Sequence, residues 1–181
     1  MSAQRSPLDP LTQATVTVAW VIFLNKPFYP LYVWYLVGHG FVASLGSLVA
    51  APIFLAIPFL ARRSPMIARA ALPIVGTLDT IFETHLFGQG SGTGLFFGAC
   101  IMLVAVSFRT EEKWIQRGLA AFVFAVFLLS NHTGGSSFHG WSDADLAVLI
   151  DLNIFAVACL MAFIAMRYAG VRAEPTSSKN C

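Results

Sequence analysis

The chain has 181 residues, 57% of them hydrophobic and only 11% charged, with a formal net charge of +2. Soluble domains carry about 25% charged residues, so a soluble globule is excluded. Disorder is excluded by 16 Phe and 4 Trp in an apolar background. Three cysteines without a CxxC pair make neither a disulfide framework nor a zinc site, and the small net charge gives no footprint for nucleic acid.

A mean hydropathy of +0.72 leaves an all-α, multi-pass membrane protein whose partner is the lipid bilayer. A span needs about 20 apolar residues to cross a hydrocarbon core of about 30 Å, and helices satisfy their own backbone inside lipid. The sequence FVASLGSLVAAPIFLAIPFL lacks the alternation of a barrel strand. Six spans are predicted: Thr12–Val37, Phe41–Leu60, Met66–Phe87, Ser91–Phe108, Trp114–Ser130 and Leu146–Arg167. They divide the chain into a tail at 1–11, a transmembrane domain at 12–168 and a tail at 169–181.

The basic residues orient this bundle. Arg5 precedes the first span, Arg62, Arg63 and Arg69 lie in the connection of the second and third, Arg109, Lys113 and Arg117 between the fourth and fifth, and Arg167, Arg172 and Lys179 after the sixth, all on one side of a six-span arrangement. The positive-inside rule makes that side, with both termini, cytoplasmic. The opposite side carries all four histidines, His39, His85, His132 and His139, and two loops rich in Gly, Ser and Thr. Their spacing matches no helical metal pair, so no metal and no cofactor is expected. Gly88-Gln89-Gly90-Ser91-Gly92-Thr93-Gly94 lacks the Lys-Ser/Thr of a phosphate loop and reads as a turn into the fourth span.

Ionisable residues inside spans face the bundle interior and pair. Lys26, Asp79, Glu83 and Asp151 are of this kind. At about 1.5 Å per residue, Asp79 lies about 15 Å above Arg69, near the midplane, and Lys26 is also central. Glu83 is one turn above Asp79 on the same face. Asp151 comes to a similar height in the sixth span, with Asn153 half a turn deeper. Lys26 is therefore expected to pair with Asp79, below a pocket in the outer half of the bundle. Glu83, His85 and Asp151 line it, Asn153 and Lys26 sit deeper, and Phe82, Phe87, Phe96 and Phe97 surround it. A purely structural role that fixes helix register is the alternative. Pro27 and Pro30 each remove a backbone donor beside Lys26, so a kink is expected there. Cys100 and Cys159 lie in apolar helix stretches and read as inert packing thiols.

The segment Phe87–Trp114, FGQGSGTGLFFGACIMLVAVSFRTEEKW, joins a glycine-rich turn to paired Phe, a small-residue helix, Phe-Arg and an acidic pair. Asp151-Leu152-Asn153 and FIAMRYAG follow in the sixth span. Together these resemble the six-helix membrane modules at the N-termini of bacterial sensor histidine kinases and nucleotide cyclases, over roughly residues 14–170. The resemblance implies a receptor-like module in a bacterial inner membrane, expected to sense a small, mostly apolar ligand from the extracytoplasmic side. Only about a dozen residues follow Arg167, and no kinase, cyclase or phosphatase sequence is present, so such a module is expected to act through a signalling partner. No hydrolase-like nucleophile or metal pattern is present, so no enzyme activity is expected. The competing reading is a small secondary transporter or proton-coupled carrier using Lys26, Asp79, Glu83 and Asp151. Small residues four apart at Gly46 and Ala50, and at Ala121 and Ala125, permit close helix contact within the bundle or in a homodimer.

Overall fold

The computed structural model describes residues 8–132 and 137–173, and these contain helices, turns and loops but no strand. Arg5, Lys179, Cys181 and residues 133–136 lie outside the described residues. The helices are α1 (Pro10–Asn25), α2 (Phe28–Val37), α3 (Phe41–Ala61), α4 (Pro65–Phe87), α5 (Phe96–Val106), α6 (Lys113–His132) and α7 (Asp143–Ala173). Four stretches are long and apolar enough to cross a membrane: Phe41–Ala61, Pro65–Phe87, Thr110–His132 and Asp143–Val171.

The two remaining expected spans differ from the sequence reading for local reasons. Thr12–Val37 is divided into α1 and α2 at Lys26-Pro27. Pro27 offers no N–H to the Phe23 carbonyl and Pro30 none to that of Lys26. The Lys26 carbonyl is taken instead by the Tyr29 N–H at 3.2 Å, a tighter turn that bends the axis. The fourth span is shortened to Thr93–Val106, because the glycine-rich stretch before it folds into two 3₁₀ turns, Gln89–Ser91 and Thr93–Leu95. Gly92 between them has φ +79°, and a Cβ there would meet Ile150 Cγ1 at 2.8 Å. Only glycine satisfies both the left-handed backbone and that approach to α7.

α1 packs on α3, α4 and α7, and α5 bridges α4, α6 and α7. Their shared core holds Val18, Phe54, Ile57, Leu72, Leu103 and Ile164. α6 is peripheral, with 11% of its apolar stretch buried, and Ala121 and Ala125 on it are exposed. The Gly46–Ala50 pair is used inside the chain: Ala50 is buried and Gly46 receives the Leu86 side chain.

Apolar packing gives little hydrophobic driving force inside lipid, so polar contacts between helices weigh more. One such knot closes the end at which α1 and α4 begin. Arg69 is not a loop charge but a buried residue of α4. It forks onto Glu112 with N–O distances of 2.8 and 2.5 Å and donates to the Ser107 carbonyl at 3.1 Å. The Tyr168 hydroxyl of α7 lies 2.9 Å from both Thr15 Oγ1 and Ser107 Oγ. The knot joins α1, α4 and α7 to the connection between α5 and α6.

α1 starts at Asp9, whose carboxylate accepts from the Thr12 N–H at 3.3 Å and the Thr12 hydroxyl at 2.5 Å, with Pro10 preset for the first turn. Burial pushes the Asp9 carboxyl up, but the Thr12 bonds together with Arg69 and Arg109 outweigh it and hold the group below its ordinary 3.8. A lowered carboxyl contributes stability above the unfolded value and loses it as pH falls through the folded one. Asp9→Ala is therefore expected to cost about 1 kcal/mol at neutral pH, and the deficit should disappear below pH 3.8. Thermal unfolding of both proteins in detergent across that range checks this; a deficit that persists in strong acid would show that the carboxylate charge is not its origin.

Candidate functional site

The break between α1 and α2 places Lys26 at the end of one helix, directed into the bundle. Its side chain is 8% exposed, and the ammonium touches two carboxylates of α4: Asp79 Oδ2 at 2.5 Å and Glu83 Oε1 at 2.6 Å. Asp79 and Glu83 share a face because they are one helical turn apart. The expected Lys26–Asp79 contact is present, and Glu83 joins it. Lys26 Nζ also lies 5.9 Å from the centroid of the Phe54 ring on α3. One ammonium faces two carboxylates, so one negative charge is left over when all three are ionised. Asp79 Oδ1 is buried and has no hydrogen-bond partner.

This triad forms one wall of a cavity of about 560 Å³. Phe54, Leu72, Leu103, Leu160 and Phe163 supply much of the apolar remainder, from α3, α4, α5 and α7. Two polar groups on the wall are already engaged. The Thr80 hydroxyl donates to the Gly76 carbonyl at 2.8 Å, and the Tyr29 hydroxyl donates to Asn153 Oδ1 at 3.3 Å. Cys100, buried, and Cys159, exposed, also line the cavity.

The cavity lies at mid-height and extends toward the Arg69 end, not toward the glycine-rich loop. Its other end is closed by Val33, Leu86, Phe87, Trp141 and Leu149, which form a separate buried cluster about one turn beyond Tyr29, Glu83 and Leu152. Instead the cavity reaches the flank of the bundle. Val21, Asn25 and Tyr32 of α1 and α2, with Phe155 and Cys159 of α7, line it and are themselves exposed.

The remaining residues expected at the site are dispersed. Asp151 is exposed on α7 and does not line the cavity. Asp151 and Asn153 are two residues apart, so their side chains leave the helix about 200° apart and only one can face inward. That one is Asn153, fully buried, whose amide donates to the Ser91 carbonyl at 2.9 Å and lies 3.2 Å from the Tyr29 hydroxyl. Asn153 thus pins the glycine-rich loop to α7 and supports a cavity residue from behind. Ser91 and Thr93 are completely buried, so this loop is packed into the bundle rather than spread above it. His85 is one half-turn past Glu83, where its ring meets the edge of Phe138 and its carbonyl accepts from the Phe138 N–H. Of the four phenylalanines expected around the pocket, Phe96 lines it. Phe97 packs on Phe127, Phe87 belongs to the cluster around Trp141, and Phe82 is exposed. His39 and His139 flank Trp141, and no group of three metal-ligating side chains occurs among the described residues.

No protein-family model, curated protein or solved structure matches the chain.

The triad makes an asymmetric thermodynamic statement. Lys26→Met strands two facing carboxylates in low dielectric and is expected to cost about 3–5 kcal/mol, the range for an unpartnered buried charge. Asp79→Asn or Glu83→Gln leaves a balanced ion pair and should cost less than half as much. Adding either amide to Lys26→Met should recover part of the loss. Thermal unfolding of the six proteins in one detergent measures these couplings; equal losses for the three single variants would contradict a surplus negative charge.

Proposed function

We propose that this chain is an inner-membrane protein of six crossings, a receptor-like module that binds a small, mostly apolar molecule in the mid-height cavity and acts through a partner protein. The cavity carries this reading. It has the size and the apolar lining with few convergent polar groups that typify small-molecule sites, and its polar groups sit on one wall. Its mouth lies on the flank, so the molecule reaches it from the bilayer rather than through the outer loops. The resemblance of Phe87–Trp114 and the sixth span to sensor-kinase and cyclase membrane modules supports the signalling half of the proposal.

Six crossings are compatible with four long helices. α1 and α2 in succession cover residues 10–37 and reach about 40 Å even with a bend. Thr93–Val106 reaches about 21 Å, with the buried loop before it filling the remaining depth. The charge pattern supports cytoplasmic ends: Arg109 approaches Asp9 at 3.5 Å, which brings the start of α1 to the same end as the basic α5–α6 connection.

A proton-coupled carrier is the second reading, favoured by the two carboxylates on one lysine, because a proton on either would remove the surplus charge.

Two measurements test the main proposal. Cysteine introduced at position 139 should react with a membrane-impermeant maleimide in intact cells, while cysteine at position 64 should not; the reverse pattern would overturn the orientation. Protein in phosphatidylcholine nanodiscs should bind radiolabelled 1-decanol saturably above empty discs. Ala156→Phe, which places a ring in the cavity from α7, should abolish that binding; saturable binding unaffected by the ring would move the site elsewhere.

A further inference from the structure

We infer that the polar head accepted by this cavity is a cation: an ammonium group on an apolar body, seated beside the Asp79 and Glu83 carboxylates. The inference rests on the cavity being a ligand site, as proposed above, and specifies what that site selects.

Three observations converge on it. First, the Asp79 side chain is 9% exposed and lines the cavity. One of its oxygens is held by Lys26, while the other is buried with no donor. A buried carboxylate oxygen without a donor is costly, and a cation held beside the carboxylate on the cavity side offsets its charge. Second, the charges on the wall do not balance. Lys26 is the one cationic side chain among the residues lining the cavity, and both of its near contacts are carboxylates. A second cation brings the site to neutrality, whereas a carboxylate or phosphate head would add a charge of the sign already in excess. Third, no charged donor remains for an anion. Thr80 and Tyr29 donate elsewhere, and Asn25 at the rim is neutral. An alcohol head carries no charge and leaves the surplus in place.

The shape of the cavity defines the rest of the molecule. Phe54 and Leu72 continue from the triad toward Leu103 and Phe163, with no further charge along the way. A single-headed hydrophobic amine fits this polarity, and a zwitterion or a dication does not. The flank mouth, between Tyr32 and Phe155, admits such an amphiphile directly from the acyl region, where its tail is already dissolved.

The test compares one tail with three heads. Wild-type protein in nanodiscs of phosphatidylcholine, which carries no net charge, is titrated at neutral pH with radiolabelled 1-aminodecane, 1-decanol and decanoate, with empty discs subtracted. The amine is expected to bind about tenfold tighter than the alcohol and more tightly still than decanoate. Glu83→Gln, which leaves a balanced Lys26–Asp79 pair, should bring the amine to within about threefold of the alcohol. Decanoate binding as tightly as the amine, or amine and alcohol binding equally in the wild type, overturns the cation assignment and leaves the cavity a ligand site. Absence of saturable binding by all three heads overturns the ligand-site reading itself. The wild-type series decides these outcomes even if the variant fails to fold.

Discussion

An ammonium group in the middle of a lipid-embedded bundle needs compensation, and the arrangement of this protein follows from how that is provided. Lys26 sits where Pro27 and Pro30 bend the first helical stretch, and the bend turns its side chain toward α4. Asp79 and Glu83 answer from successive turns of α4. Their two-to-one stoichiometry prevents the cluster from being a closed ion pair. A closed pair would be a register pin and nothing more; an open one leaves a carboxylate in excess on a cavity wall. The same contact sets the relation of α1 to α4, and the cavity is the space that this spacing leaves in front of α7.

The two ends of the bundle are closed by different chemistry. At the Arg69 end, a guanidinium–carboxylate fork and a bifurcated tyrosine hydroxyl join α1, α4 and α7 to the connection between α5 and α6. At the opposite end, aromatic contacts dominate. Phe87 meets Trp141 and Tyr29 at centroid distances of 5.7 and 5.3 Å, and the glycine-rich loop tucks in beside them. Directional charge-assisted bonds at one end and broad ring contacts at the other leave the middle as the place where side chains pack least tightly.

The apolar runs marked the helices well, and the differences arise where glycine or proline acts locally. Height along a helix was legible from counting residues, which is why Lys26 and Asp79 were placed together and Glu83 near them. Azimuth was legible only where a second residue fixed it. On α4, Thr80, Glu83 and Thr84 mark one polar face. α7 is apolar on nearly every side, so nothing in its own pattern decides between Asp151 and Asn153, and the choice depends on neighbours far away in sequence. Arg69 was assigned to a basic loop because Arg62 and Arg63 precede it. Its bidentate partner Glu112 lies 43 positions later, beyond the reach of any local pattern. The cavity's height and its flank mouth depend on side-chain packing among several helices and have no one-dimensional signature.

The long seventh helix behaves as a beam clamped at two points. Asn153 ties it to the Ser91 carbonyl, and Tyr168 ties it to Thr15 and Ser107. The clamps are about 22 Å apart, and the α7 residues that line the cavity lie between or just outside them, from Leu152 to Phe163. A beam held at both ends resists leaving the bundle, because lifting it would break buried hydrogen bonds that have no water to replace them. The aperture is therefore governed by rotamers, above all those of Tyr32 and Phe155, both exposed at the rim. Exposed side chains change rotamer in picoseconds to nanoseconds, whereas helix displacement takes microseconds or longer. Molecules can exchange with the surrounding acyl chains through a mouth that opens without disturbing the helices that frame it.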